Sequence, residues 1–218
     1  VPTERASDLS LFLDILCTLE QIGAPYAIIG AFAGAVYGAT RTTYDIDIVV
    51  DLSGVHVQAL AAHYPPPRYY ADPEQMRDSM CSGIMFNIID GERGEKADLL
   101  PVTMHPEYRQ VLASRVRHRV EVPGRAPFAA WFARLEDVII GKLMAWAESH
   151  SQKHESDIYQ MLVFHYLGLD PDLTLDEHAV ARVATALGVA VSELWRATRS
   201  AAQEEAERRA APPAEHSR

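Results

Sequence analysis

Asp45-Ile46-Asp47 sets two carboxylates two residues apart in the run Thr42-Thr-Tyr-Asp-Ile-Asp-Ile-Val-Val50. Side chains at i and i+2 of a strand leave from the same face. Asp45 and Asp47 can therefore converge on one hard cation while Ile46 and Ile48 turn into a core. Magnesium takes one or two carboxylates together with substrate phosphates and retained waters, so the pair starts a metal–phosphate site. Alone, the triplet fits better a half-exposed strand with two solvated aspartates; its surroundings reverse that order. A third carboxylate, Asp98 in Lys96-Ala-Asp-Leu-Leu100, sits among apolar neighbours, where an isolated charge needs a partner. Three carboxylates from two adjacent strands suit two-metal chemistry, in which an attacking hydroxyl is activated and an in-line transition state stabilised.

The elements that must hold these groups follow from periodicity and breakers. A helix is expected from Asp8, with Ser7 or Asp8 as cap, to about Gly23, its apolar face made by Leu11, Phe12, Ile15, Leu19 and Ile22. Tyr26–Ile29 reads as a short buried strand, Gly30 as a turn, and Ala31–Tyr37 as a short helix whose first amides can face a phosphate. Thr43–Val50 is the strand with the aspartates, Val55–Ala62 a helix, and Pro65-Pro66-Pro67 a break. Asp72 caps a helix with Pro73 at its first position. Ile84–Ile89 and Lys96–Leu100 form a hairpin around the Asp90–Gly94 turn, and Val116–Val122 is a further strand before Pro123-Gly124. Beyond Arg134 the pattern turns helical, over 135–147, 156–167, 176–187 and 191–206. The outline is an α+β (α/β) core with a mixed sheet over 1–125, a helical lobe over 126–207, and a tail at 208–218 whose Ala, Pro and charge content predicts disorder.

With 218 residues, 48% hydrophobic and 23% charged, the chain has the composition of a globular protein. Its net charge of −10 argues against a broad nonspecific nucleic-acid surface. Arg115, Arg117, His118 and Arg119 make a local basic cluster, read first as a solvated strand face. Cys17 and Cys81 lie in apolar surroundings without metal-ligand spacing and read as buried thiols of a reducing compartment. There is neither a membrane-length apolar run nor a signal-peptide pattern, so a cytoplasmic location is the default. The nine histidines show no zinc spacing.

Gly30-Ala31 followed by Asp45-Ile46-Asp47 resembles the first motif of the nucleotidyltransferase superfamily of the DNA polymerase β type. Arg41-Thr42-Thr43 before the strand is similar to the Arg-x-Thr of its AbiEii-like abortive-infection branch, and Asp98 corresponds to the later metal carboxylate. Leu135-Glu-Asp-Val-Ile-Ile-Gly-Lys142 and Lys153-His-Glu-Ser-Asp157 resemble that branch's lysine helix and the segment after it. The resemblance covers about Tyr26 to Leu162. Ala31 departs from it in place of a second glycine, and Ala33 in place of a phosphate-holding serine.

The resemblance implies a polymerase β-like fold and transfer of a nucleoside monophosphate from an NTP to an acceptor hydroxyl. Asp45, Asp47 and Asp98 would bind Mg2+ or Mn2+. Gly30, Ala31, Arg41 and Thr43 would cradle the nucleotide, and Lys142 would reach the triphosphate with help from Lys153 and Asp157. The structural alternative, set behind that reading for Lys142, is a lysine snorkelling from an apolar helix; for Lys153 and Asp157 an exposed i,i+4 pair stands level with it. Arg41 has a structural alternative, pairing with Asp45 or Asp51. The implied role is a toxin of a toxin–antitoxin or phage-defence pair with an antitoxin partner, acting on RNA ends, proteins or small molecules. Two alternatives stand beside it: a noncatalytic nucleotide- or partner-binding module, and an aminoglycoside adenylyltransferase.

Overall fold

The computed structural model describes residues 10–40, 46–120 and 127–211. They form two compact units, one from the described parts of 1–32 and 42–133, the other from those of 33–41 and 134–218. The fold is α+β.

The first unit is built on a mixed sheet of seven strands: β1 (Tyr26–Ile29), β2 (Asp47–Val50), β3 (Tyr69–Tyr70), β4 (Phe86–Asp90), β5 (Glu95–Pro101), β6 (Val116–Val120) and β7 (Phe128–Phe132), in the order β3-β4-β5-β2-β1-β7-β6. β2 runs antiparallel to β1 and parallel to β5, and β1 runs parallel to β7. The inner strands are apolar on both faces, as strands covered on both sides must be: Ala27, Ile28, Ile48, Val49 and Val50 are all fully buried. Ile46 is buried as well. Helices α1 (Ser10–Gln21), α3 (Gly54–His63), α4 (Pro73–Ser82) and α5 (Tyr108–Ser114) belong to this unit, while α2 (Gly30–Val36) begins in it. α4 starts as expected, with Asp72 accepting the Glu74 amide at 2.8 Å and Pro73 at its first position. The Ser7 and Asp8 caps and the Pro123-Gly124 turn lie outside the described residues.

Two expectations need correction here. Cys17 and Cys81 are exposed. Cys17 shares the outer face of α1 with Asp14 and Gln21, and Cys81 that of α4 with Glu74 and Arg77, at i, i+3 or i+4 spacings that outrank the apolar neighbours in sequence. Three elements were not anticipated. β3 is two residues long, α5 follows Glu107, whose side chain makes no capping bond, and the alanines of β7 carry little strand preference. β7 lies past residue 125 yet occupies the sheet between β1 and β6.

Asp90, 1% exposed at the end of β4, accepts from both Nε and Nη2 of Arg68 at 3.2 and 2.7 Å, and from the amides of Glu92 and Arg93. The Arg68 guanidinium holds the Asp90 carboxyl below the usual carboxylate range. A depressed carboxylate contributes stability that is full above its unfolded pKa and lost as pH falls through the folded value. Arg68→Ala should therefore lower Tm at neutral pH and shrink its fall on acidification, as thermal melts across an acid pH series would show.

The second unit contains α6 (Leu135–Ser149), α7 (Gln152–Tyr166), α8 (Glu177–Ala186) and α9 (Val189–Ala210). Its core includes Ile139, Leu143, Ile158, Met161, Leu162, Val180 and Trp195. His150, at φ 49°, closes α6, and α7 begins four residues before the expected Ser156. α9 continues through Arg208 and Arg209 to Ala210, into the segment expected to be disordered. Both arginines pair with Glu205, and as basic residues in a last turn they also complement the helix dipole. Residues 212–218 lie outside the described residues. No described helix is long and apolar enough to cross a membrane.

Candidate functional site

In the first unit, β2 places Asp47 opposite Ile29 of β1 and in register with Asp98 of β5. Parallel neighbours in register project from the same face about 4.8 Å apart, so two residues 51 apart in sequence become lateral neighbours. The row continues to Asn87 of β4, opposite Asp98. Asp98 is 8% exposed and fully engaged: Oδ1 accepts from the Asn87 amide, and Oδ2 pairs with Lys96 Nζ at 3.2 Å. Lys96 stands two residues earlier on the same strand face, with about half of its side chain exposed.

Asp47 is half-buried, and its carboxylate lies against Gly30 at the opening of α2. A Cβ on Gly30 would overlap Asp47 Oδ2 and come within 3.1 Å of Cγ; the same residue has φ +69°. Glycine is thus required twice, once for the left-handed backbone and once for the carboxylate beside it. Gly30→Ala should cost the left-handed penalty of about 1–2 kcal/mol and also displace Asp47. Gly94, at φ +67° with open space where its Cβ would go, supplies the control. Gly94→Ala should show the backbone penalty alone, and chemical denaturation of both variants would give the difference as the effect of the Asp47 contact.

Tyr108, the first residue of α5, also belongs to this neighbourhood. Its phenol is pushed up to about 12, first by burial and then by the negative charge of Asp47 and of Glu107. The His105 ring packs on it edge-on at 5.2 Å. Sequence reasoning missed Lys96, Asn87 and Tyr108 as neighbours of the aspartates. The i−2 spacing of Lys96 from Asp98 was the available signal; Asn87 needed the hairpin register, and Tyr108 the packing of α5.

Asp45, Arg41 and Thr43, together with Tyr44, lie outside the described residues. Among the described residues no three His, Cys, Asp or Glu side chains are grouped to hold a metal ion. Two adjacent carboxylates nevertheless match the small protein contribution that magnesium takes. The ammonium already paired with Asp98 Oδ2 shows that a cation suits that oxygen. Ala31 follows Gly30 in α2, half-buried. Asp51, at the end of β2, is exposed, and its amide donates to the Pro25 carbonyl at 3.0 Å.

In the second unit, Lys142 of α6 and Asp157 of α7 form a buried ion pair, at 6% and 2% exposure, with Nζ donating to Oδ2. The lysine stem runs beside Gly34, whose added Cβ would meet Ala39, Met161 and Lys142 Cε at 3.5–4.0 Å. Lys142 is therefore no snorkelling side chain. Asp157 is no member of an exposed pair either, since it turns inward while Lys153 stays exposed.

No family model matches the chain, and no curated protein matches it. Among solved structures, the antibiotic-resistance factor ANT(2'')-Ia is similar over 92% of this chain and 97% of its own, with 18% identity and a TM-score of 0.41. JHP933 from Helicobacter pylori is similar over 94% and 97%, with 13% identity and a TM-score of 0.35. Overlaps of this size assign no family, and the functional reading rests on the residues themselves.

Proposed function

We propose that the chain is a metal-dependent nucleotidyltransferase that moves a nucleoside monophosphate from an NTP to an acceptor hydroxyl and releases pyrophosphate. The observation that carries this reading is the in-register pair Asp47–Asp98, with the Asp47 carboxylate seated against Gly30. Asp47 and Asp98 would hold Mg2+ or Mn2+, joined by Asp45 as the sequence motif implies. Once bound, the metal would neutralise phosphate charge and lower the pKa of the acceptor hydroxyl.

The chain's own groups have separable tasks. Asp98 would release Lys96, whose half-exposed side chain can swing into water, and a carboxylate oxygen of Asp98 would assist removal of the acceptor proton. The α2 amides beside Gly30 and Ala31 would face phosphate oxygens, and Arg41 and Thr43 would add side-chain contacts. The motif resemblance gives Lys142 the triphosphate, with Lys153 and Asp157 in support. The AbiEii-like toxin role and an antitoxin partner belong to the same proposal and are supported by Arg41-Thr42-Thr43 and the lysine segment. A noncatalytic nucleotide-binding module is the second reading. It is favoured by the engagement of both Asp98 oxygens by Asn87 and Lys96 and by the alanines at 31 and 33.

Labelled NTPs with Mg2+ or Mn2+ and a pool of RNA, protein and aminoglycoside acceptors test both. Label on any acceptor, absent in Asp47→Asn, supports transfer and identifies the acceptor class. Metal-dependent NTP binding without transfer to any pool member favours the second reading, and absence of binding removes both.

A further inference from the structure

We infer that the second unit carries a binding site for a small aliphatic amine in the cleft between α7 and α9. The cleft has a volume of ≈ 460 Å³ and is open to solvent, with Gln152, Glu155, Ser156, Ala197 and Ala201 of its lining exposed and Thr198 buried. Its origin is a pair of short side chains. Ala197 and Ala201, one turn apart on α9, leave the groove between the two helices unfilled.

Thr198 lies between them and lines the cleft at 5% exposure, yet its hydroxyl makes no hydrogen bond among the described residues. The residue is buried, but its oxygen is not among the buried side-chain atoms left without a partner, so solvent reaches it from the cleft. On a helix the usual partner is the carbonyl four residues back, which Thr185 takes at 2.8 Å on α8. Thr198 therefore keeps an oxygen available toward the cleft. On the opposite wall, Gln152, Glu155 and Tyr159 of α7 present an amide, a carboxylate and a phenol. The Glu155 carboxylate makes no ion pair or hydrogen bond among the described residues.

The lining contains no Lys, Arg or His, which disfavours phosphates and carboxylates. Its oxygens suit a donor carrying several N–H groups and a positive charge. The alanine wall of α9 suits methylenes, and the half-buried Tyr159 ring adds a face for a cation. An ammonium on a short hydrocarbon satisfies all three requirements. This inference rests on the cleft alone and is independent of the transferase reading.

The test titrates the full chain with n-butylamine, 1,4-diaminobutane and the neutral isostere n-butanol, following amide NMR shifts and heat of binding. The expected result is saturable shifts from both amines, confined to residues 152–159 and 197–201. n-Butanol and the Glu155→Gln variant should each bind about tenfold more weakly, the loss of one charge-assisted contact. Ala201→Phe, which fills the cleft from an exposed position, should abolish the response. An equal response to n-butanol, shifts that survive both substitutions, or no saturable response to either amine would overturn the site.

Discussion

Asp47→Asn should lower nucleotidyl transfer by roughly a thousandfold while leaving the fold intact. The variant keeps the shape of the side chain beside Gly30 and removes one charge from the pair on β2 and β5. Metal-assisted charge stabilisation is worth several kcal/mol, and each ~1.4 kcal/mol is a factor of ten in rate. Stability should hold or rise, because Asp47 and Asp98 are like charges on neighbouring strands and the amide relieves their repulsion. Label-transfer rates and thermal melts on the same preparations separate the two effects. Unchanged transfer would remove Asp47 from catalysis, and a collapse of Tm would make its role structural.

Asp157→Ala should strongly destabilise the helical unit. It leaves the Lys142 ammonium buried without its carboxylate, and breaking such a pair costs about 3–5 kcal/mol. For a chain of this length that corresponds to a Tm fall of roughly 6–20 °C. The double variant Lys142→Met/Asp157→Leu removes both charges and keeps the volume, so it should recover most of the loss. Denaturant unfolding of the single and double variants measures the coupling directly. A single-variant cost below about 1 kcal/mol, the range of exposed pairs, would contradict the burial of this pair. Transfer assays on the folded double variant then ask whether Lys142 also serves the nucleotide.

Strong local signals made much of the first unit legible. Tyr26–Ile29 between Pro25 and Gly30, the Asp72-Pro73 helix start and the Asp90–Gly94 turn each combine an apolar run with a breaker of defined conformation. The adjacency of Asp47 and Asp98 was expected from the motif, and the register supplies its geometry. What stayed hidden depends on distant partners. β7 is a strand because β1 and β6 offer it edges, and its alanines do not announce it. The outward cysteines follow from helical phase, which composition around Cys17 and Cys81 obscures. The inward turn of Asp157 required α6 to bring Lys142 to it, and no spacing within α7 reveals that.

The place of β7 has a consequence for synthesis of the chain. β1 leaves the ribosome well before its partner on the β7 side, which is complete only with Phe132, about 100 residues later, roughly 5–20 s at ordinary translation speeds. Throughout that interval one edge of Tyr-Ala-Ile-Ile stands open, with unpaired amides and a strongly apolar surface, the kind of edge that recruits other chains. The nascent protein thus passes through a window in which any chaperone that covered this edge would guard it against capture by other chains.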